Sequence, residues 1–372
     1  MENPKEQNPT EQLKKALTSL NAKENKFYFL VQDTKGVQRA SVATTYEFVK
    51  ILTEDGYNAF VLHEKNDYHG VGEWLGEEYS SLPHASIESQ ELSVGPADFL
   101  IIPEVFGHVL DQTKEMPCSR IVFCQSYDYV FEMLPPGFTW GMMNVSNVMT
   151  TGEATTAYLK SIFPNLEAEE IKLGIPEFFK PSEKPKMPVV TIHTREPRET
   201  MKIVKSFYVK FPQFKWITFR DLRNLPTKKF AEDLSESFVS VWVDDISGFG
   251  TFPLESMKCE VPVIGKVPNL KPEWMTEDNG IWSYNFNQIV DILGNFVQKW
   301  LEDELPQELY TEMEKTVKKY NKDEFSNSVM SVFNAINERK VNEIRRNLEK
   351  LTPVGPQDNI EEGSVTELFD KN

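Results

Sequence analysis

One stretch of the chain combines residue types that could hold an anion. It reads Asp244-Asp245-Ile246-Ser247-Gly248-Phe249-Gly250-Thr251-Phe252-Pro253-Leu254-Glu255. Upstream lies Phe238-Val239-Ser240-Val241-Trp242-Val243, an apolar run that predicts a buried strand, and a short helix is expected downstream. Two glycines let the backbone approach a ligand closely. Pro253 suits the first turn of a helix, where its missing N–H costs nothing. The free N–H groups and positive dipole end of such a helix favour a phosphate. Glu255 falls in the first turn, where an acid also stabilises the helix by itself, so residue types alone leave both roles open.

The elements that must position this stretch are those of two α/β units in series. In the first half, Phe27-Tyr28-Phe29-Leu30-Val31 predicts a strand and Gln32-Asp33-Thr34-Lys35-Gly36 a turn. A helix follows, with Val42, Tyr46, Val49 and Leu52 at the spacing of one buried face; Gly56 ends it. Ala59-Phe60-Val61-Leu62, Phe99-Leu100-Ile101-Ile102 and Ile121-Val122-Phe123-Cys124 are expected as further parallel strands. The last two run into Pro103-Glu104 and Gln125-Ser126-Tyr127-Asp128, and ligands of open α/β sheets collect beyond such carboxyl ends. A Pro/Lys-rich stretch over 180–188 reads as a linker. The alternation then restarts with strands at Val189-Val190-Thr191-Ile192, Trp216-Ile217-Thr218-Phe219, residues 238–243 and Val261-Pro262-Val263-Ile264, and a helix over 199–209. The expected division is a leader at 1–22, an N-terminal Rossmann-like domain at 23–180 and a C-terminal one at 181–304. Charged helices at 305–351 and a disordered polar tail at 352–372 complete it.

Composition removes several classes of function. A net charge of -17 argues against a sequence-independent grip on nucleic acid, and against a strong electrostatic hold on anionic lipid, although a local basic patch leaves peripheral membrane contact open. The basic, aromatic run over 202–229 fits exposed faces of the second domain better than an RNA or membrane site. No secretory signal opens the sequence, and no apolar run approaches the roughly 20 residues that span a bilayer. Cys118, Cys124 and Cys259 lack metal-ligand spacing and suit a reducing cytoplasm, packed as small hydrophobes. The five histidines form no HExxH pair, so no metal site is expected; His63 and His69 flank an acidic loop and are expected to be solvated. A Gly-x-Ser-x-Gly elbow and a Walker loop are both lacking.

The segment around Gly248 closely resembles the signature of retaining GT-B glycosyltransferases of family 4. In that family Glu-Gly-Phe-Gly leads to Pro-Leu-Glu, a small-residue helix and a Pro-Val strand. Ser247-Gly248-Phe249-Gly250 with Thr251, then Pro253-Leu254-Glu255, follow it in order and spacing. The resemblance implies that Glu255 binds the ribose hydroxyls of a nucleotide. It also places Ser247 where the family has an acid against the donor sugar, and a serine cannot supply that charge. Either the sugar contact differs, Asp245 substitutes, or catalysis is weakened. In His193-Thr194-Arg195-Glu196-Pro197-Arg198, Arg195 matches the family's diphosphate-binding Arg, while Arg198 or Lys202 takes the place of its Lys. As a lone residue Arg195 would be a solvated loop cation. A guanidinium beside a leaving diphosphate stabilises the charge that develops there.

The likeness spans most of residues 27–290 and thins in the N-terminal half. Lys35-Gly36-Val37-Gln38-Arg39 resembles the family's Gly-rich first loop, with Gly36 as a plain turn residue the alternative. No histidine matches the family's N-terminal one; Gln125, Ser126 and Tyr127 occupy that strand end. Residues 171–181 resemble the passage between the domains, and Pro272-Glu273 with Asn279-Gly280-Ile281 the pattern after the Pro-Val strand. What the resemblance implies is a GT-B architecture: two Rossmann-like α/β/α domains facing across a cleft, with C-terminal helices. The implied reaction moves a sugar from a nucleoside-diphosphate sugar to a glycan or other hydroxyl acceptor, with retention and without bound cofactor or metal. A sugar-nucleotide epimerase and a degenerate binder without turnover are the competing readings.

Overall fold

The computed structural model describes residues 24–351 apart from Ser146 and Pro164. The expected leader at 1–22 and tail at 352–372 lie outside the described residues. Two parallel sheets form, each from its own stretch of chain. The first has seven strands: β1 Lys26–Leu30, β2 Asn58–His63, β3 His84–Ser86, β4 Phe99–Pro103, β5 Ser119–Cys124, β6 Asn147–Thr150 and β7 Glu167–Glu170. The second has five: β8 Met187–Thr194, β9 Thr218–Asp221, β10 Ser237–Val243, β11 Val263–Lys266 and β12 Ile281–Ser283. Their orders are β3-β2-β1-β4-β5-β6-β7 and β12-β11-β10-β8-β9. Strand order therefore reverses between β1 and β4 in one sheet and between β8 and β10 in the other. Such reversals open a crevice at the strands' carboxyl ends.

The apolar runs of the first sheet are continuous because both faces are covered. Phe27, Phe29, Val61, Phe99, Ile101 and Phe123 point into one core, and Tyr28, Leu30, Leu62, Leu100, Ile102 and Cys124 into another. The first core is roofed by helix Ala40–Glu54, whose Val42, Tyr46, Val49 and Leu52 are all buried as the spacing requires. It is also roofed by the last helix, Lys322–Leu351, although that helix follows the second sheet in sequence. Phe333 packs edge-on against Phe27 at 5.4 Å, and Asn25 donates to Asn337 in the interior at 2.9 Å. All three cysteines are free and buried.

Several local expectations shift. The strand expected at 216–219 begins at Thr218, because Ile217 closes a turn onto the Phe214 carbonyl. The strand expected at 261–264 runs Val263–Lys266. The proline-rich stretch gives way to β8 at Met187, with Pro188 beside a register shift against β10, where a missing N–H is tolerated. His63 is not a solvated loop residue. It is 2% exposed, meets His84 Nδ1 through Nε2 at 2.8 Å, and stacks on Tyr68. Its place at the inward-facing end of β2 explains the burial.

Candidate active site

The carboxyl ends of the two sheets enclose a cavity of about 570 Å³. Its N-terminal wall is the loop after β1 (Val37 to Ser41), the ends of β4 and β5 (Glu104, Gln125, Ser126, Tyr129) and Thr151. Its C-terminal wall is His193, Thr194 and Arg195 after β8, Arg223 and Asn224 after β9, and the turn and helix after β10.

The turn after β10 fits between its neighbours only because two of its residues, Gly248 and Gly250, lack side chains. Gly250 has φ +72° and leads into helix Thr251–Lys258; a Cβ there would stand 2.7 Å from the Trp242 ring. At Gly248 a Cβ would stand 2.7 Å from the Gln125 carbonyl on the opposite wall. Phe249 is buried edge-on against Tyr320 at 5.6 Å, and its carbonyl accepts from Trp274 Nε1 at 2.7 Å. The turn is thus held from three sides, and the helix start it aims opens on the cavity.

Charge in the C-terminal wall is arranged in pairs. Arg195 Nε donates to Asp244 Oδ1 at 2.9 Å, and Arg195 Nη1 reaches across to Tyr129 Oη at 3.3 Å. Arg223 pairs with Asp221 at the rim. His193 stacks on Phe252 at 4.8 Å, and burial pushes its imidazole pKa down, so it stands neutral in the wall. Glu255 lines the cavity; burial pushes its carboxyl up to about 7, against the opposing effect of a hydrogen bond from Thr251. Burial likewise lifts Glu104 to about 7, even though its Oε1 accepts from the Ser126 N–H at 2.8 Å.

Among the residues singled out from sequence, Arg195, Ser247, Gly248, Phe249, Gly250, Thr251, Glu255 and Gln125 all line this cavity. Leu254 does not; fully buried one position before Glu255, it faces the sheet. Arg198 and Lys202 border a separate shallow depression with Met201 and Lys205, on the outer flank of helix Pro197–Lys210. Gly36 has φ +77° and shapes the loop that brings Val37, Gln38 and Arg39 to the wall, without lining the cavity itself. Tyr127 is buried against Tyr158 at 5.1 Å. Asp245, considered as a stand-in for the missing acid, is tied to Lys266 and does not line the cavity. Sequence reasoning passed over Tyr129 and Arg223, and quoted Glu104 and Asp244 within its segments without giving either a role. Glu104 carried a signal, being an acid set directly behind a strand buried on both faces.

Two parallel sheets whose switch points face a common crevice match a known architecture. Sucrose-phosphate synthase from Thermosynechococcus elongatus superposes with a TM-score of 0.59 at 11% identity, over 84% of this chain and 99% of that one. Anabaena HepE in complex with UDP-glucose gives the same score and identity over 83% and 99%. A glycosyltransferase from Rickettsia africae gives 0.53 at 10% identity over 84% and 98%. The fold is GT-B. In sequence, the chain is 23% identical over 223 residues to an alpha-1,6-glucosyltransferase of Actinobacillus pleuropneumoniae serotype 7. That match takes in 59% of this chain and 66% of the relative's length. No family model matches. In sequence the chain is thus similar to a glycosyltransferase, and in fold to proteins that include one. The segment around Gly248 lies in the C-terminal wall, and the loop shaped by Gly36 in the N-terminal one. Among the described residues, no helix is long and apolar enough to cross a membrane.

Proposed function

We propose that the chain is a retaining, family 4-like glycosyltransferase that moves a sugar from a nucleoside-diphosphate sugar to an acceptor hydroxyl. The observation that carries this is the convergence of Arg195, Glu255 and the open start of helix Thr251–Lys258 on one wall of the GT-B cleft. In this reading the diphosphate lies against the helix start and Arg195, and Glu255 accepts from the ribose hydroxyls. Ser247 stands beside the sugar. As the bond from the sugar to the diphosphate breaks, negative charge grows on the leaving oxygens, and the preorganised guanidinium and N–H groups stabilise it. The acceptor's proton passes to the leaving diphosphate, so no protein nucleophile is needed, and the closed walls exclude the water that would otherwise hydrolyse the donor. The glucosyltransferase similar in sequence and the UDP-glucose-bound protein similar in fold support a nucleotide-sugar substrate.

Ser247 favours one second reading, a GT-B protein that binds a nucleotide sugar without turning it over. Incubation with UDP-, GDP- and ADP-sugars, with and without glycan acceptors, separates the two. Release of nucleoside diphosphate that depends on acceptor is the expected outcome. Binding without release would establish the second reading instead, and epimerised donor without transfer would replace both.

A further inference from the structure

A circuit of hydrogen bonds, closed by the backbone over 126–129, runs through the floor of the cleft and crosses it twice. Glu104 Oε1, at the end of β4, accepts from the Ser126 N–H at 2.8 Å. Ser126 Oγ then donates across the cleft to the Ile246 carbonyl at 3.0 Å. The Ile246 N–H donates to Asp244 Oδ1 at 3.2 Å, and the same oxygen takes the Arg195 Nε bond at 2.9 Å. Arg195 Nη1 returns to the first wall at Tyr129 Oη, 3.3 Å away and three residues beyond Ser126. Glu104, Ser126 and Asp244 are each under 10% exposed, so water is a poor replacement partner for any of them.

We propose that Ser126 and Tyr129 are positioning residues of the N-terminal wall, supported by Glu104, that lock Arg195 and the 244–250 turn in place when the walls meet. The geometry makes this conditional on closure. Both crossings are at hydrogen-bond length, so any separation of the walls breaks them together and leaves the guanidinium with Asp244 alone. A guanidinium held at Nε by Asp244 and at Nη1 by Tyr129 has its plane fixed, and its Nη2 has no protein partner among the described residues. Closure and orientation of this cation are thereby one event. The use of that event in catalysis rests on the transferase reading; the circuit itself does not.

The test takes the full chain as wild type, Ser126→Ala, Tyr129→Phe and the double variant. Hydrogen–deuterium exchange is followed over residues 244–250 without ligand, alongside kcat and KM for whichever donor is turned over. Each single variant is expected to raise exchange in that segment roughly two- to tenfold, the effect of losing one hydrogen bond, with exchange elsewhere unchanged. Because the crossings act in one circuit, the second substitution should add less than it does alone. Tyr129→Phe should lower kcat by about tenfold while KM for the donor changes less, since Asp244 still places the guanidinium near its ligand. Unchanged exchange over 244–250 in both single variants, or effects that simply multiply, would overturn the circuit. A rise in exchange in a protein that releases no nucleoside diphosphate leaves the circuit standing and removes the transferase reading. Raised exchange with an unaltered kcat in an active enzyme removes the positioning role.

Discussion

The two walls of the cleft follow opposite electrical plans. In and behind the C-terminal wall three cations are already matched: Arg195 with Asp244, Arg223 with Asp221 and Lys266 with Asp245. The N-terminal wall has an exposed Arg39 without an ion pair among the described residues, and a Glu104 carboxyl that burial lifts to about 7. A wall whose cations are already paired has each of them placed near its partner, and closure then fixes the orientation of Arg195. Among the described residues, the opposite wall keeps one cation unmatched, and its one buried acid sits in a hydrogen-bond chain rather than an ion pair. The contrast is between a wall whose cations are matched within itself and a wall whose cation is left for a ligand or for solvent.

Removing the cation at the heart of the paired wall should have the largest effect. Arg195→Ala is expected to cut turnover by ~10²-fold or more, the typical loss for one preorganised electrostatic contact. Steady-state kinetics check this, and near wild-type activity would return Arg195 to an ordinary surface cation. Parallel Arg198→Ala and Lys202→Ala variants should change little, given their position on the outer flank.

A smaller effect is expected at Glu255. Its ionised form is the better acceptor from ribose hydroxyls, and bonds to charged groups are worth roughly 1.5–3 kcal/mol. Since burial holds the carboxyl near 7, nucleotide affinity measured by calorimetry should rise as pH climbs through about 7. Glu255→Gln should bind more weakly and show a flat pH profile. The helix starts at Thr251, which puts Glu255 past the first turn where sequence placed it and beyond the reach of the helix dipole, so unaltered affinity with a lowered melting temperature would assign it a packing role instead.

The smallest effect belongs to the N-terminal wall. Glu104 moves from an ordinary value of 4.5 to about 7 through burial, so the folded state holds a proton that the unfolded chain releases between those values. Stability from this group accordingly falls as pH rises across that window. Glu104→Gln should flatten that part of the wild-type curve in thermal melts at several pH values. Identical slopes in the two proteins would mean that Glu104 is no more buried than other acids.

The same contrast governs what could be read from sequence. In the C-terminal wall a strand, a Gly-x-Gly turn and a helix follow one another within 244–258, so the site is written as one continuous phrase. β10 announces itself because seven buried residues in a row leave no other economical structure. The N-terminal wall is assembled from the ends of β1, β4 and β5, which sheet order alone brings together, and nothing local marks Ser126 or Tyr129 as neighbours of residues more than 60 positions away. Three of the four edge strands were equally silent. β7, Glu-Ala-Glu-Glu, carries no apolar alternation and pairs on one side only, and β3 and β12 are three residues long. The covering of the first sheet by helix Lys322–Leu351 was unreadable as well, since periodicity shows that a helix has a buried face but not what covers it.

That returning helix has a mechanical consequence. The backbone passes between the two sheets twice, once over 171–186 and again over 318–321, and the passages touch: the Ile175 N–H donates to the Tyr320 carbonyl at 2.8 Å. Gly174 lies so close to the second passage that a Cβ would stand 2.8 Å from the Asn321 carbonyl. Two tethers joined side by side behave as one strap. Bending the strap swings the sheets toward or away from each other, whereas sliding them apart would stretch one tether against its neighbour. Bending at the strap is thus less opposed by the chain than sliding, and a cut in either tether leaves the pieces joined by the other.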